Sequence, residues 1–289
     1  MNIKKAVIPA AGFGTRFLPA TKSIPKEMIP VVDKPLIQYS VEEAVRSGIT
    51  QIGIITSRGK SAMEDHFDEA PELQSFLSEK NKPDILDDVK KTAGLAEFCW
   101  IRQKKALGLG HAIGTAEAFV GTESFAVLLP DDIFVCEPDS IKQLLNAYEK
   151  YGTTIIILGR VDEEGTKKYG IVRADQVEDR VFKVHELVEK PGPERAFSDL
   201  AILGRYVFTP DIFRAIKSTP PDHRGEVQIT DAINILAGSG EVYGVLFDGE
   251  RYDCGSKLGF LEGTVAMSLK RPEFRDEVRA LLKRLLAES

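Results

Sequence analysis

The stretch Ala10-Ala11-Gly12-Phe13-Gly14-Thr15-Arg16, running on to Pro25-Lys26-Glu27, constrains this chain more than any other. The apolar run Ile3 to Ile8, broken by Lys4 and Lys5, leads into it and predicts a buried strand. Two glycines then permit a sharp turn and let a ligand approach bare backbone. Arg16 and Lys26 follow as fixed positive charges. A strand ending in a small-residue turn, with cations just beyond, points to a pocket for a phosphate-rich ligand.

Two common phosphate loops do not fit. Gly-x-x-x-x-Gly-Lys-Ser/Thr is absent. The dinucleotide fingerprint G-x-G-x-x-G is half matched, with Asp33 near the expected distance, but Phe17 stands at the third glycine position. That fingerprint must also open directly into a helix. Here Pro19, Pro25 and Pro30 punctuate the next twenty residues, and each removes a donor and blocks helix nearby. The same features weaken a nicotinamide oxidoreductase reading. The loop is expected to be long, extended and irregular.

At 289 residues the chain can form one large α/β domain or two modest ones. Its net charge of −6 leaves no electrostatic footprint for nucleic acid or an anionic membrane, so the basic residues that matter must act locally. Met1 to Lys5 lead straight into a strand with no apolar signal region, and no apolar run approaches the ~20 residues of a membrane helix. Cys99, Cys136 and Cys254 are scattered and odd in number, which argues against a zinc site or disulfide framework. A reducing, cytoplasmic setting is expected.

Strand and helix patterns alternate through the first half. Pro35 to Ser47 has helical spacing, with Gly48 placed to stop it, and Gln51 to Ile55 predicts a second buried strand. Such alternation implies βαβ units and a parallel sheet. Residues 58 to 93 are acidic, with little apolar periodicity, and predict a solvated helical excursion. Glu97 to Ile101 is a further strand, and the loop Arg102 to His111 feeds a helix through about Phe119. Phe125 to Leu129 is the clearest buried strand and ends abruptly in Pro130-Asp131-Asp132. Asp139 to Tyr151 predicts an amphipathic helix with Asp139 as its N-cap, followed by a strand at Thr153 to Leu158.

Shorter strands then follow at Gly170 to Arg173, Val181 to Lys190, Ile202 to Phe208 and Val242 to Phe247. Helices are expected at Pro210 to Lys217 and Val227 to Leu236. In the helical tail from Lys257, the stripe Phe274, Val278, Leu281, Leu282 and Leu285 is expected to pack within the molecule, with an oligomer contact as the alternative. The absence of repeats and linkers predicts one continuous domain with two lobes.

Open α/β sheets bind ligands beyond the carboxyl ends of their strands. The Gly12–Arg16 turn, the Gln103–Gly110 loop and Asp131 all fall there. Near a phosphate pocket, a strand-end carboxylate is what a magnesium ion requires. Asp253, in Arg251-Tyr252-Asp253-Cys254-Gly255, offers a second one. Glu189-Lys190 is either an inconsequential surface ion pair or a carboxylate for sugar hydroxyls beside an ammonium for a phosphate. No arrangement for a covalent nucleophile is present. The inventory points to phosphoryl chemistry done by positioning and charge neutralisation.

The run AAGFGTRFLPATKSIPKEMIPVVDKPLIQY resembles the signature of the sugar-1-phosphate nucleotidyltransferases. QKKALGLGHAI, LLPDDIF, YGIV, LVEKP, ILGRYVF, GEVQITDAI and RYDCGSKLG extend the likeness, in order, over about residues 3 to 269. The resemblance implies a Rossmann-like, glycosyltransferase-A-like fold, an α/β mixed and mostly parallel sheet flanked by helices with a smaller sugar-binding lobe. A nucleotide half would cover about residues 1–136, a sugar-phosphate half about 137–256 and a helical tail about 257–289.

It further implies that Ala10, Ala11, Gly12 and Gly14 hold a nucleotide through their backbone while Thr15, Arg16 and Lys26 address its triphosphate. Gln103 and the Gly108 backbone would read uracil. Asp131 would bind Mg2+, with Asp253 as a second metal ligand. Gly170, Glu189, Lys190 and Glu226 would take glucose 1-phosphate. Arg16, Lys26, Asp131 and Lys190 would carry catalysis. The implied reaction joins UTP and glucose 1-phosphate into UDP-glucose and pyrophosphate, in a homodimer or homotetramer with no nucleic-acid or membrane partner. A sister enzyme using dTTP or another hexose 1-phosphate stays open, because a Gln that pairs with uracil pairs equally with thymine. A catalytically silent sugar-nucleotide sensor would be expected to lack one of the four charged residues.

Overall fold

Burial alternates along the first strand, β1 (Lys5–Pro9): Val7 faces one core, while Ala6 and Ile8 face another. In the computed structural model, which describes residues 3–240 and 242–288, further strands follow in order. They are β2 (Pro30–Val31), β3 (Lys34–Pro35), β4 (Gln51–Thr56), β5 (Glu97–Arg102), β6 (Phe125–Leu128) and β7 (Asp132–Val135). The second half adds β8 (Thr154–Arg160), β9 (Gly170–Glu178), β10 (Val181–Glu189), β11 (Leu200–Phe208), β12 (Val242–Leu246) and β13 (Glu250–Asp253). Nine of them form one sheet in the order β5-β4-β1-β6-β11-β8-β12-β10-β9.

Helices cover both faces. Ile37, Val41 and Ala44 of Leu36–Arg46 and Ile141 and Leu144 of Ser140–Tyr151 pack on one side. Ile113, Ile212, Ile216, Ile229 and Ile233 pack on the other. Each such aliphatic side chain contributes about 1.5–3 kcal/mol on burial.

The sheet is mixed, and the expectation of a mostly parallel sheet is not met. Four of its pairings are parallel and five antiparallel. The parallel strands β5-β4-β1-β6 lie in the N-terminal half, where helices make the crossovers. Beyond them β11 inserts antiparallel between β6 and β8, and β9 and β10 form a hairpin across Asp179-Arg180. A connection that short permits only antiparallel pairing. All nine residues of β11 are buried, and a fully buried strand shows the same apolar run whichever way it lies.

Three further expectations change. Asp139 stands at the N-cap position as expected, but its side chain does not cap the helix; its carboxylate accepts two hydrogen bonds from Arg46, at 3.0 and 2.8 Å. The helix start is held instead by Glu43, which accepts from Ser140 Oγ and from the Ile141 amide at 3.1 Å. The terminal helix Arg275–Glu288 buries none of its described residues, with Leu281 and Leu285 43% and 51% exposed, and it packs against the preceding helix, Lys257–Leu269. The acidic region does form three helices, Ser61–Phe67, Pro71–Glu79 and Pro83–Ala93, but Met63, Phe67 and Leu77 anchor it in the core. Among the described residues, no helix is long and apolar enough to cross a membrane.

Candidate active site

The loop after β1 contains three short 3-10 turns, Thr15–Phe17, Ala20–Lys22 and Lys26–Met28, and the two-residue strands β2 and β3 before the first α-helix begins at Leu36. The prolines thus keep it open, as the sequence predicts. Gly14 takes the left-handed conformation (φ 64°), and a Cβ there would stand 3.0 Å from the Cβ of Lys26, so the loop folds back on itself at a residue that needs glycine. Both ends of the loop are stapled by one buried side chain. Lys60 Nζ donates to the Ala10 carbonyl at 2.5 Å and to Glu27 Oε2 at 2.8 Å.

A cleft of about 910 Å³ opens between this loop and the second half of the chain. Gly12, Gly14, Thr15, Arg16, Lys26 and Asp131, with Asp253 beside Asp131, line one wall; Gly170, Glu189, Lys190 and Glu226 line the other. Ala10, Ala11, Gln103 and Gly108 lie outside that lining. Ala10 commits its amide to Ile55 at 2.8 Å and its carbonyl to Lys60, so its role here is support of the loop. Gln103, just after β5, is 7% exposed and begins the loop that Gly108 ends at the helix Leu109–Gly114. Leu107 and Gly110 pair with the backbone of Val227, at 2.8 and 2.9 Å, which ties that loop to the second wall.

Asp131 and Asp253 converge from opposite elements. A Cβ at Gly255 would stand 3.1 Å from Asp131 Oδ2, 3.1 Å from Asp253 Oδ1 and 3.6 Å from Arg16 Nη1. The bare Cα of Gly255 thus leaves a small space that two carboxylates and a guanidinium share. Lys26 Nζ donates to Asp131 Oδ2 at 2.7 Å. Burial raises the pKa of the Asp131 carboxyl, but the ammonium outweighs it and leaves the group below the usual carboxylate range. For Lys26, burial pulls the pKa down, and Asp131 and Glu27 more than restore it. Asp253 accepts from Tyr169 Oη at 2.5 Å and from the Gly255 amide at 3.0 Å. Among the described residues no cluster of three or more His, Cys, Asp or Glu could hold a metal, so any cation here needs ligand oxygens as well.

On the second wall, Gly170 and Glu189 are cross-strand partners at the ends of β9 and β10. Glu189 accepts from Thr230 Oγ1 at 2.6 Å and pairs with Lys190 Nζ at 2.6 Å. Lys190 has φ 44°, a left-handed backbone that a long side chain rarely adopts, and its side chain is 44% exposed to the cleft. Strain of this kind gathers where a side chain must be aimed.

Several contributors are absent from the sequence reading. Arg205 is fully buried and binds Glu43 Oε2 at 2.8 Å. It also donates to the carbonyls of Leu129 and Asp132, at 2.8 and 2.9 Å, gripping both sides of the Pro130-Asp131 turn. Arg251 lies 2.6 Å from Asp132 and stacks on Tyr169 with its guanidinium 4.8 Å from the ring centre. Both arginines sit inside conspicuous motifs, ILGRYVF and RYDCGSKLG, but nothing in spacing distinguishes a buried clamp from a surface charge.

The architecture and cleft have close counterparts. A nucleotidyl transferase family model matches residues 5–268. The chain belongs to that family. It is 51% identical to a UTP–glucose-1-phosphate uridylyltransferase of Staphylococcus saprophyticus, over 98% of both chains. It is 49% identical to the enzyme of that name from Bacillus subtilis, over 99% of this chain and 98% of the other. Among solved structures, a UDP-glucose pyrophosphorylase complexed with UDP-glucose superposes with a TM-score of 0.86 at 44% identity, covering 93% of this chain and all of the other. A UTP-bound enzyme of the same type from Acinetobacter baumannii superposes at 0.90 with 38% identity, over 98% and 99%.

Proposed function

We propose that the chain transfers a uridylyl group from UTP to glucose 1-phosphate, giving UDP-glucose and pyrophosphate by in-line displacement at the α-phosphorus. The observation that carries the reading is the cleft itself, in which Arg16, Lys26 and Asp131 on one wall face Glu189 and Lys190 on the other. A site with two separated cation-bearing walls suits a reaction between two anions.

The N-terminal half, to about residue 136, holds the nucleotide, and the half from about 137 to 256 holds the sugar phosphate. Ala11, Gly12 and Gly14 offer backbone to the triphosphate, Thr15 a hydroxyl, and Arg16 and Lys26 neutralise it. Gln103 and Gly108 meet the uracil edge. Glu189 accepts from sugar hydroxyls beside the bare Cα of Gly170, and Glu226 adds a further acceptor at the rim. Lys190 screens and orients the attacking phosphate. Holding both reactants in line supplies the entropic part of the acceleration, and no covalent enzyme intermediate is required.

Mg2+ fits the donor set: two carboxylates meeting over Gly255, with substrate phosphates completing a hard-oxygen shell. Asp131 and Asp253 would hold it, and it would supply charge neutralisation on the departing pyrophosphate. We further assign the protein to the cytoplasm, which its three unpaired cysteines suit, and to a homodimer or homotetramer. Phosphorus NMR of a mixture with UTP, glucose 1-phosphate and Mg2+ tests the proposal. Equimolar UDP-glucose and pyrophosphate are expected; unchanged substrates would contradict it, and faster conversion of dTTP would favour the sister enzyme.

A further inference from the structure

We infer that His111 sets the base specificity of the site by fixing the orientation of the Gln103 amide. The inference rests on the proposed role of Gln103 at the uracil edge. Gln103 Nε2 lies 2.8 Å from His111 Nδ1 and 3.4 Å from the Gly108 carbonyl oxygen. Those two neighbours settle which end of the amide is which. A flipped amide would set its own oxygen against the Gly108 carbonyl, two acceptors facing each other. With nitrogen in that place, both N–H groups have acceptors, and His111 must be unprotonated at Nδ1.

The consequence falls on the opposite end of the side chain. Gln103 Oε1 receives no hydrogen bond among the described residues. The Gly108 amide likewise has no acceptor among them, since the hydrogen bonds of the loop run through Leu107, Gly110 and the Gly108 carbonyl. One free acceptor and one free donor therefore remain on the loop that leads into the cleft at Leu109. Uracil presents N3–H beside a carbonyl oxygen, which matches an acceptor next to a donor. Cytosine presents a bare N3 beside an amino group, the opposite pattern. Discrimination against cytosine thus depends on the amide staying as His111 holds it. If the amide were free to rotate, it would present N–H to N3 of cytosine just as readily.

His111 touches no base in this scheme; it acts through Gln103. It is also held in place without the ligand. It lies in the first turn of the short helix Leu109–Gly114, whose entry is fixed by the Gly108 backbone (φ 94°), where a Cβ would collide with Val227.

The test is the ratio of kcat/KM for UTP over CTP in the full-length protein, with glucose 1-phosphate saturating. His111→Leu removes the acceptor and is expected to lower the ratio at least about tenfold, the worth of one discriminating hydrogen bond. His111→Asn, which carries an acceptor at the position of Nδ1, is expected to retain most of it. The UTP over dTTP ratio should stay constant, because thymine presents the same edge. Nitrogen NMR shifts of the His111 imidazole should report a proton on Nε2 and none on Nδ1.

Gln103→Ala separates the two levels of the argument. If it lowers the ratio while His111→Leu does not, the orienting role is overturned and the role of Gln103 stands. If Gln103→Ala leaves the ratio unchanged, both are overturned. A protonated Nδ1, or an equal fall in the dTTP and CTP ratios, would also overturn the inference.

Discussion

Lys26 Nζ sits 2.7 Å from Asp131 Oδ2, and both side chains are less than a quarter exposed. The ammonium neutralises the carboxylate at the point where two arms of the site meet. Both groups line the cleft beside the phosphate path proposed for the nucleotide, where they would offer a divalent cation and a triphosphate two charges already matched. Under the proposed function, Lys26 would then turn from the carboxylate to a phosphate oxygen.

That relationship predicts the behaviour of Asp131→Asn. The amide keeps the shape and can still accept from Lys26, but it loses the charge a divalent cation requires. Turnover should fall at least about 100-fold, the scale of losing one transition-state electrostatic contact. Circular dichroism should remain that of the parent. Near-normal rates at saturating Mg2+ would remove Asp131 from the metal site.

Gly255→Ala tests the shared space between the carboxylates. Gly255 is not in the left-handed region, so alanine fits the backbone, but its Cβ would press on Asp131 and Asp253 at 3.1 Å each. The two groups must part by a few tenths of an ångström. The expected outcome is a raised Mg2+ requirement in a titration of initial rate, with a change in unfolding free energy below about 1 kcal/mol. An unaltered Mg2+ titration would show that the carboxylates do not act as one site.

Glu43→Ala leaves Arg205 as an unpaired buried charge. Removing one partner of such a pair costs about 3–5 kcal/mol. The urea midpoint should fall accordingly, and activity should fall with it, since Arg205 grips the carbonyls on both sides of Asp131. A stability loss under about 1 kcal/mol would mean that Arg205 finds other acceptors without strain.

Asp132 predicts a pH dependence of stability. Burial pushes its carboxyl up to about 7 despite the opposing pull of Arg251, with Asp131 and Asp253 adding to the rise. Unfolded, the group titrates near about 4. Between those values the folded chain keeps a proton that the unfolded chain releases. This group's contribution to stability is therefore fully present below about 4 and is lost as pH rises through about 7. Asp132→Asn should flatten the fall in unfolding free energy between pH values of about 4 and 7. Urea titrations across that window will show it, and an unchanged slope would indicate that Arg251 keeps Asp132 ionised.

Local signals made the first half of the chain legible. Gln51 to Ile55 and Phe125 to Leu129 are continuous apolar runs, and the strands found there differ from them by one residue at an end. The three prolines of the loop argued against an α-helix before Leu36, and the helical elements that form there are short 3-10 turns. The direction of β11 was not legible, because burial on both faces erases the pattern that distinguishes parallel from antiparallel. β7 was also missed; its four residues pair with β13, and that pairing depends on a partner more than a hundred residues away. Among site residues, Asp131 announced itself by ending an apolar strand. Arg205, Lys60 and His111 did not, since each acts on another protein group and its partner is distant or unremarkable in sequence.

The central claim is that one cleft brings a nucleoside triphosphate and a sugar phosphate together for direct displacement. Pyrophosphate release, followed continuously with UTP and Mg2+ and with glucose 1-phosphate added or withheld, tests it most directly. Rapid, stoichiometric release is expected only when both substrates are present. Release from UTP alone, or none with both, would contradict it.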